Sequence, residues 1–182
     1  MSVSAKTTTT EEAPEASSKV GLQVLAFLEV LLLSVWLGAM IFFSFAVAPS
    51  AFAVLPTREL AGAMVTSTIG KVELFGLVIG PLLILIQTAS WRATHSSKVE
   101  KSLRVILILV MIAAAALSRF WISPQMVSLR AAMGGHIDDV PVGDPLRMQF
   151  NNLHQYSVAL MCTAMIAGLV LLFLTVRSWL KQ

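Results

Sequence analysis

Apolar and polar positions segregate along this chain on the scale of whole helices. Four long apolar runs, at about residues 22–48, 72–91, 103–122 and 153–174, are separated by stretches that hold most of the charge. Each run reaches about 20 residues, enough to cross roughly 30 Å of hydrocarbon as a helix rising 1.5 Å per residue. The pattern predicts an all-α integral membrane four-helix bundle. Small-residue triplets between Ala46 and Ala53 resemble signal cleavage sites, but the first run far exceeds the roughly 7–15 apolar residues of a secretory signal and reads as an uncleaved anchor. Residues 1–19, rich in Thr, Ser, Ala and Glu, have too little to bury to offset their ordering entropy. They are expected to form a disordered cytoplasmic tail, leaving residues 20–182 as a single four-span domain.

Breaks and small residues add detail. The segment Trp36–Pro56, WLGAMIFFSFAVAPSAFAVLP, closes the first run, and Pro49 is expected to end or bend that helix, with Trp36 and Phe52 beside this exit turn. The second run contains Gly76, Gly80 and Pro81; its GLVIG is a GxxxG pattern, through which a neighbouring backbone can approach closely in lipid. Gly38, Ala164 and Gly168 are further candidate helix-packing positions. Thr57 is a plausible N-cap with Glu59 in the first turn, so a short outward interfacial helix is predicted over residues 57–71. Beyond Pro124, QMVSLRAAM extends the third helix, and GGHIDDVPVGDP breaks the chain. Asp144 and Pro145 form a cap and first-turn pair, which makes the fourth helix about 34 residues, or roughly 50 Å, long.

Composition agrees with a bilayer as solvent. Of the 182 residues 57% are hydrophobic and 13% charged, where soluble domains carry about a quarter charged residues. The formal charge is +3, but the bases are scattered across loops, which argues against nucleic acid as a partner. They carry topology instead. Lys6, Lys19, Arg92, Lys98, Lys101, Arg104, Arg177 and Lys181 fall on one side, and Arg58, Lys71, Arg119, Arg130 and Arg147 on the other. The positive-inside rule then predicts both termini in the cytoplasm of a bacterial-type inner membrane. Trp91 and Trp179 fit an inner aromatic belt and Trp121 an outer one. The single cysteine, Cys162, excludes an internal disulfide and any CxxC motif.

Ionisable residues at membrane depth are the candidates for function, because they are expensive there. Aligning the runs by depth predicts two groups. Glu29 and Gln87 form an intramembrane polar pair near the inner side, read as a clasp between the first two helices or as a proton-accepting carboxylate with a hydrogen-bonding neighbour. Near the outer side, Glu73, Arg119 and His154 gather into a polar cluster. Arg147 and Ser157 share the helix that brings His154, and Pro49 stands at the same level. His95 and His136 read as solvated loop residues. A b-type haem usually takes two axial histidines, and only His154 lies in or beside a span. Copper would use soft Met and imidazole donors; Met40, Met111, Met161 and Met165 sit in apolar helices, where methionine most often fills gaps. No Ser/His/Asp set, HExxH, Walker A or strand-linked GxGxxG occurs. The expectation is therefore no enzyme activity, no cofactor and no bound metal.

The blocks WLGAMIFFSFAVAPSAFAVLP, RELAGAMV, SPQMVSLR and MQFNNLHQYSVALM, in this order, resemble the transmembrane protein 205-like family, a four-helix membrane domain of unknown function. The likeness spans roughly residues 22–174 and implies a four-span bundle with Trp36, Gly38, Phe43, Pro49, Phe52, Gly62, Arg130, Phe150, His154 and Ser157 as patterned positions. A weaker likeness is to copper-resistance D type membrane proteins, whose His/Met arrangement is missing here. Two functions are expected from the whole. The first is a non-enzymatic accessory or assembly subunit, packing through small-residue faces against other membrane subunits or a second copy within the lipid bilayer. The alternative is a small oligomeric transporter or ion- or metal-handling protein using the outward Glu/Arg/His cluster.

Overall fold

The computed structural model describes residues 12–91, 97–134 and 137–180, and among these every regular element is helical. The helices are α1 (Glu12–Phe42), α2 (Ala48–Val54), α3 (Arg58–Ala89), α4 (Lys98–Leu117), α5 (Ser123–Ala132) and α6 (Pro145–Trp179). Four helical stretches are long and apolar enough to cross a membrane: residues 19–54, 58–89, 98–132 and 145–178. The chain is an integral membrane protein in a lipid bilayer. Residues 1–11 of the expected tail, His95 and His136 lie outside the described residues. The backbone from Glu12 is already helical, because Glu and Ala favour continuing α1 upstream.

Two prolines are absorbed rather than obeyed. A π-helical turn, Phe43–Val47, lies immediately ahead of Pro49, and a second, Ser118–Ile122, immediately ahead of Pro124. Proline cannot donate to the carbonyl four residues back and its ring crowds that carbonyl. A wider turn just upstream relieves both problems. The first span therefore runs on through Pro49 to Val54 instead of ending there, and α5 prolongs α4. Pro49 and Phe52 are exposed on this extension. Residues 58–71 likewise form no separate interfacial helix. They are the first half of the unbroken α3, capped by Thr57, whose side chain accepts from the Leu60 N–H at 3.2 Å. No breaker stands between Lys71 and Val72, and α3 passes through Pro81 as well, whose ring faces outward. Asp144 caps α6 by accepting from the Leu146 N–H at 2.8 Å.

Consecutive spans are antiparallel, and α1 and α4 each pack against both α3 and α6. The bundle is thus a square in which α1 lies diagonally opposite α4. We call the end where α1 begins and α6 finishes the terminal end, and the end bearing α2 and α5 the distal end. The core between them holds Leu33, Trp36, Leu37, Met40, Ile79, Leu83, Ile108, Met111, Ala114, Ala164, Ala167 and Leu171. Phe27, Phe75, Ile106, Leu109, Ile166 and Phe173 point outward, as lipid-facing side chains do.

Small residues set the helix separations. A Cβ built on Gly76 would stand 2.5 Å from Trp36 Cζ2, one on Gly80 would overlap Ile112, and one on Gly168 would lie 3.1 Å from Met111 Cε and 3.2 Å from Leu37 Cδ1. The GxxxG face of α3 thus receives α1 and α4 of the same chain. Gly38 differs, being exposed with nothing within 4 Å of its Cβ position. Gly76→Ala should cost about 1–3 kcal/mol by overpacking, whereas Gly38→Ala should be neutral or stabilising by up to about 1 kcal/mol. Thermal unfolding of the detergent-solubilised variants checks this contrast.

Candidate functional site

The terminal half of the bundle contains a buried ion pair. Arg104 on α4 donates through Nη2 to Glu29 Oε1 on α1 at 2.5 Å, with side chains 2% and 1% exposed. The same guanidinium donates to Thr175 Oγ1 at 3.3 Å and Ser178 Oγ at 3.2 Å on α6. Thr175 also donates to Glu29 at 3.4 Å. Two opposite charges tie three helices together here, and the hydroxyls fill much of the remaining hydrogen-bonding capacity, as a pair in hydrocarbon requires. Gln87 is buried on α3 near this level, but its Oε1 accepts no hydrogen bond among the described residues. The expected Glu29–Gln87 clasp is therefore organised instead around Arg104. In sequence Arg104 belongs with the loop bases, yet it lies six positions into α4, deep enough to turn inward. Closer to the loop, Lys101 donates to the Trp91 carbonyl and stands 5.7 Å over the Trp91 ring, closing the α3–α4 connection.

The distal half holds a carboxylate of another kind. Glu73 on α3 is 4% exposed. Its Oε1 accepts from Ser118 Oγ, while its Oε2 is buried without a partner among the described residues. Beside it lies a cavity of about 20 Å³, lined by Trp36 and Met40 from α1, Val72 and Glu73 from α3, Met111, Ala114, Ala115 and Ser118 from the α4 span, and Ser157, Leu160, Met161 and Ala164 from α6. That volume admits about one water molecule. Ser118 continues the buried face of α4, and the next residue, Arg119, turns outward over α3, where its Nη1 would lie 3.1 Å from a Cβ on Gly70. Gly70 is three residues distal to Glu73, so Arg119 caps the site without entering it.

The structure brings together only part of the outer group expected from sequence. Glu73, Ser157 and the neighbouring Arg119 converge, but His154 and Arg147 do not. His154 is exposed, whereas Ser157, Leu160, Met161 and Ala164 further along α6 line the cavity. Arg147 donates to the Val140 carbonyl and lies 3.9 Å from Asp138, which also pairs with Arg58 at 3.5 Å. These surface contacts pin the distal loop and contribute little energy. A third cationic feature sits between them and the core: Arg130 on α5 fits over Gly62 of α3, where a Cβ would meet its Nη2 at 2.8 Å, and lies 5.6 Å over the Phe150 ring of α6. The larger groove, about 420 Å³ between the first π-turn, α2 and Met64, has Ser50 as its one polar lining residue and offers no comparable chemistry.

Ser118, Arg104, Thr175 and Ser178 do not stand out in the sequence as site residues. The signal they carry is spacing: Thr175 and Ser178, three apart, share one helical face at the end of an apolar run. Met40, Met111 and Met161 look like gap-fillers along their own helices, and no periodicity within one helix announces that three helices will place them around one cavity.

Removing both members of the terminal pair should cost less than the two single removals added together. Glu29→Gln or Arg104→Met is expected to cost about 3–5 kcal/mol, and the double variant less than the sum. Thermal midpoints of the four chains in one detergent decide it.

A family model described as a domain of unknown function (DUF4149) matches residues 31–134, more than half of the chain, covering the spans that carry Trp36, Glu73 and Ser118. No curated protein and no solved structure matches the chain.

Proposed function

The chain belongs to the DUF4149 family, and on that premise we propose that it is a non-enzymatic membrane protein that handles a proton or small cation, with Glu73 as the group that takes up the charge. One observation carries this reading: a carboxylate buried at membrane depth, with one oxygen lacking any donor, borders a central cavity. A purely structural carboxylate in hydrocarbon is expected to be paired, as Glu29 is with Arg104. Among the described residues Glu73 has only a hydroxyl at hydrogen-bond distance, which leaves its second oxygen for a ligand. The distal end is the outward one in this reading, both termini are cytoplasmic and the membrane is the inner membrane of a bacterial-type cell, which the Lys/Arg bias supports. The ordered sequence blocks support the finer transmembrane protein 205-like grouping, and the scattered bases speak against nucleic acid as a partner.

The accessory- or assembly-subunit reading draws on a different surface from the one expected. Gly76, Gly80 and Gly168 are occupied by side chains of the same chain, and Ala164 lies in its core. What remains is exposed Gly38 with exposed Ser34 one turn earlier, a place on α1 where another membrane helix could approach closely. Four spans are few for a lone transporter, and a second copy docked there would reconcile the two readings.

In proteoliposomes carrying a pH- or cation-sensitive dye, the wild-type chain should dissipate an imposed gradient. Glu73→Gln should abolish that flux at unchanged folded yield, and exposed His154→Ala should leave it intact. A wild-type flux no faster than that of empty vesicles sinks the reading.

A further inference from the structure

Deepening that reading and resting on it, we infer that the distal cavity is a binding site for a soft monovalent cation of the Cu(I) or Ag(I) class. Three thioether side chains, Met40, Met111 and Met161, reach this one cavity from three different helices, α1, α4 and α6. Glu73 and Trp36 line the same cavity. Thioethers are poor ligands for hard cations and good ones for Cu(I). One carboxylate neutralises one positive charge, so a monovalent ion leaves the buried site with no net charge, where a divalent ion would leave an excess that hydrocarbon penalises.

The alternatives fit less well. Among the described residues no group of three His, Cys, Asp or Glu side chains converges, which is the donor set a borderline or hard divalent ion would need. A space of about 20 Å³ excludes a hydrated alkali ion or an organic ligand and accepts one bare ion in place of a water. The ordinary role of methionine, filling irregular gaps, explains a packed core. It does not explain why the three sulfur side chains border a gap left open beside an unpartnered carboxylate oxygen. Gly168 contributes by its lack of a side chain: a Cβ there would lie 3.6 Å from Met111 Sδ, so the glycine leaves that thioether room to adjust towards an ion. Arg119, the nearest other charge, is exposed and screened, and stands at the distal rim where an entering cation would pass it.

The full-length chain in mild detergent tests this. It is titrated with Ag(I) in chloride-free buffer by calorimetry, and with Cu(I) under anaerobic conditions against a chromophoric chelator. One equivalent per chain is expected, with sulfur scatterers in the X-ray absorption spectrum. Leucine preserves the shape of methionine, so Met111→Leu and Met161→Leu should keep the chain folded by circular dichroism and size exclusion. Each should weaken binding by at least about tenfold, the lower end of what even second-shell changes cost a metal site. Met126→Leu on α5, outside the cavity, should change nothing. Absence of stoichiometric Ag(I) binding, or binding that survives the folded Met40→Leu/Met111→Leu/Met161→Leu chain, overturns the assignment. Proton flux that depends on Glu73 without Ag(I) binding overturns it too while leaving the broader cation-handling reading intact; loss of both removes the two together.

Discussion

The contact on which most of this structure depends is the indole of Trp36 lying in the notch that Gly76 leaves on α3. With a Cβ at Gly76 the ring would have no place, since the approach would be 2.5 Å. In lipid, helices gain little from burying apolar surface against one another and associate through close packing instead. This notch sets the separation of α1 and α3 and lets Gly80 take Ile112 one turn further along. It also has a chemical consequence. Glu73 lies three residues before Gly76 on the same face, so the ring that fixes the helix spacing forms one wall of the cavity the carboxylate borders.

The bundle contains two carboxylates at membrane depth and treats them in opposite ways. Glu29 is neutralised by Arg104 and accepts from Thr175 of α6, and Ser178 of the same helix accepts from Arg104. Glu73 meets a serine and a cavity. Between the two levels lies an apolar plug of Leu33, Leu37, Ile79, Leu83, Ile108 and Leu171. The buried ion pair balances its own charge, although Arg104 Nε has no hydrogen-bond partner among the described residues, and it holds three helices in register. A carboxylate with an unmet oxygen is in a different position, because a proton or a cation relieves the cost of its burial. The division of labour follows from what each carboxylate faces.

The two π-turns reconcile straight membrane-crossing helices with proline. Each lies immediately before a proline, at the distal ends of the first and third spans, and each contains an outward-facing phenylalanine, Phe45 or Phe120. The second turn does not disturb the inward face of the third span. Ser118, four residues after Ala114, continues the buried stripe of α4 and meets Glu73, while Arg119 falls to the rim.

What the sequence by itself determined is whatever depends on the solvent and on local chemistry. Four runs of sufficient length and apolarity determine four spans, Thr57 and Asp144 determine where α3 and α6 start, and glycines four apart mark a face on which something must pack. The partner across that face, by contrast, was decided only by tertiary structure. Depth could be read from the chain, so Glu29 and Gln87, or Glu73 and His154, belonged at matching levels. Rotation about each helix axis could not, because a few degrees per turn accumulate. For that reason Arg104 replaced Gln87 as the organiser of the terminal layer, His154 faced outward, and three methionines that each look like filler along their own helices came to line one cavity.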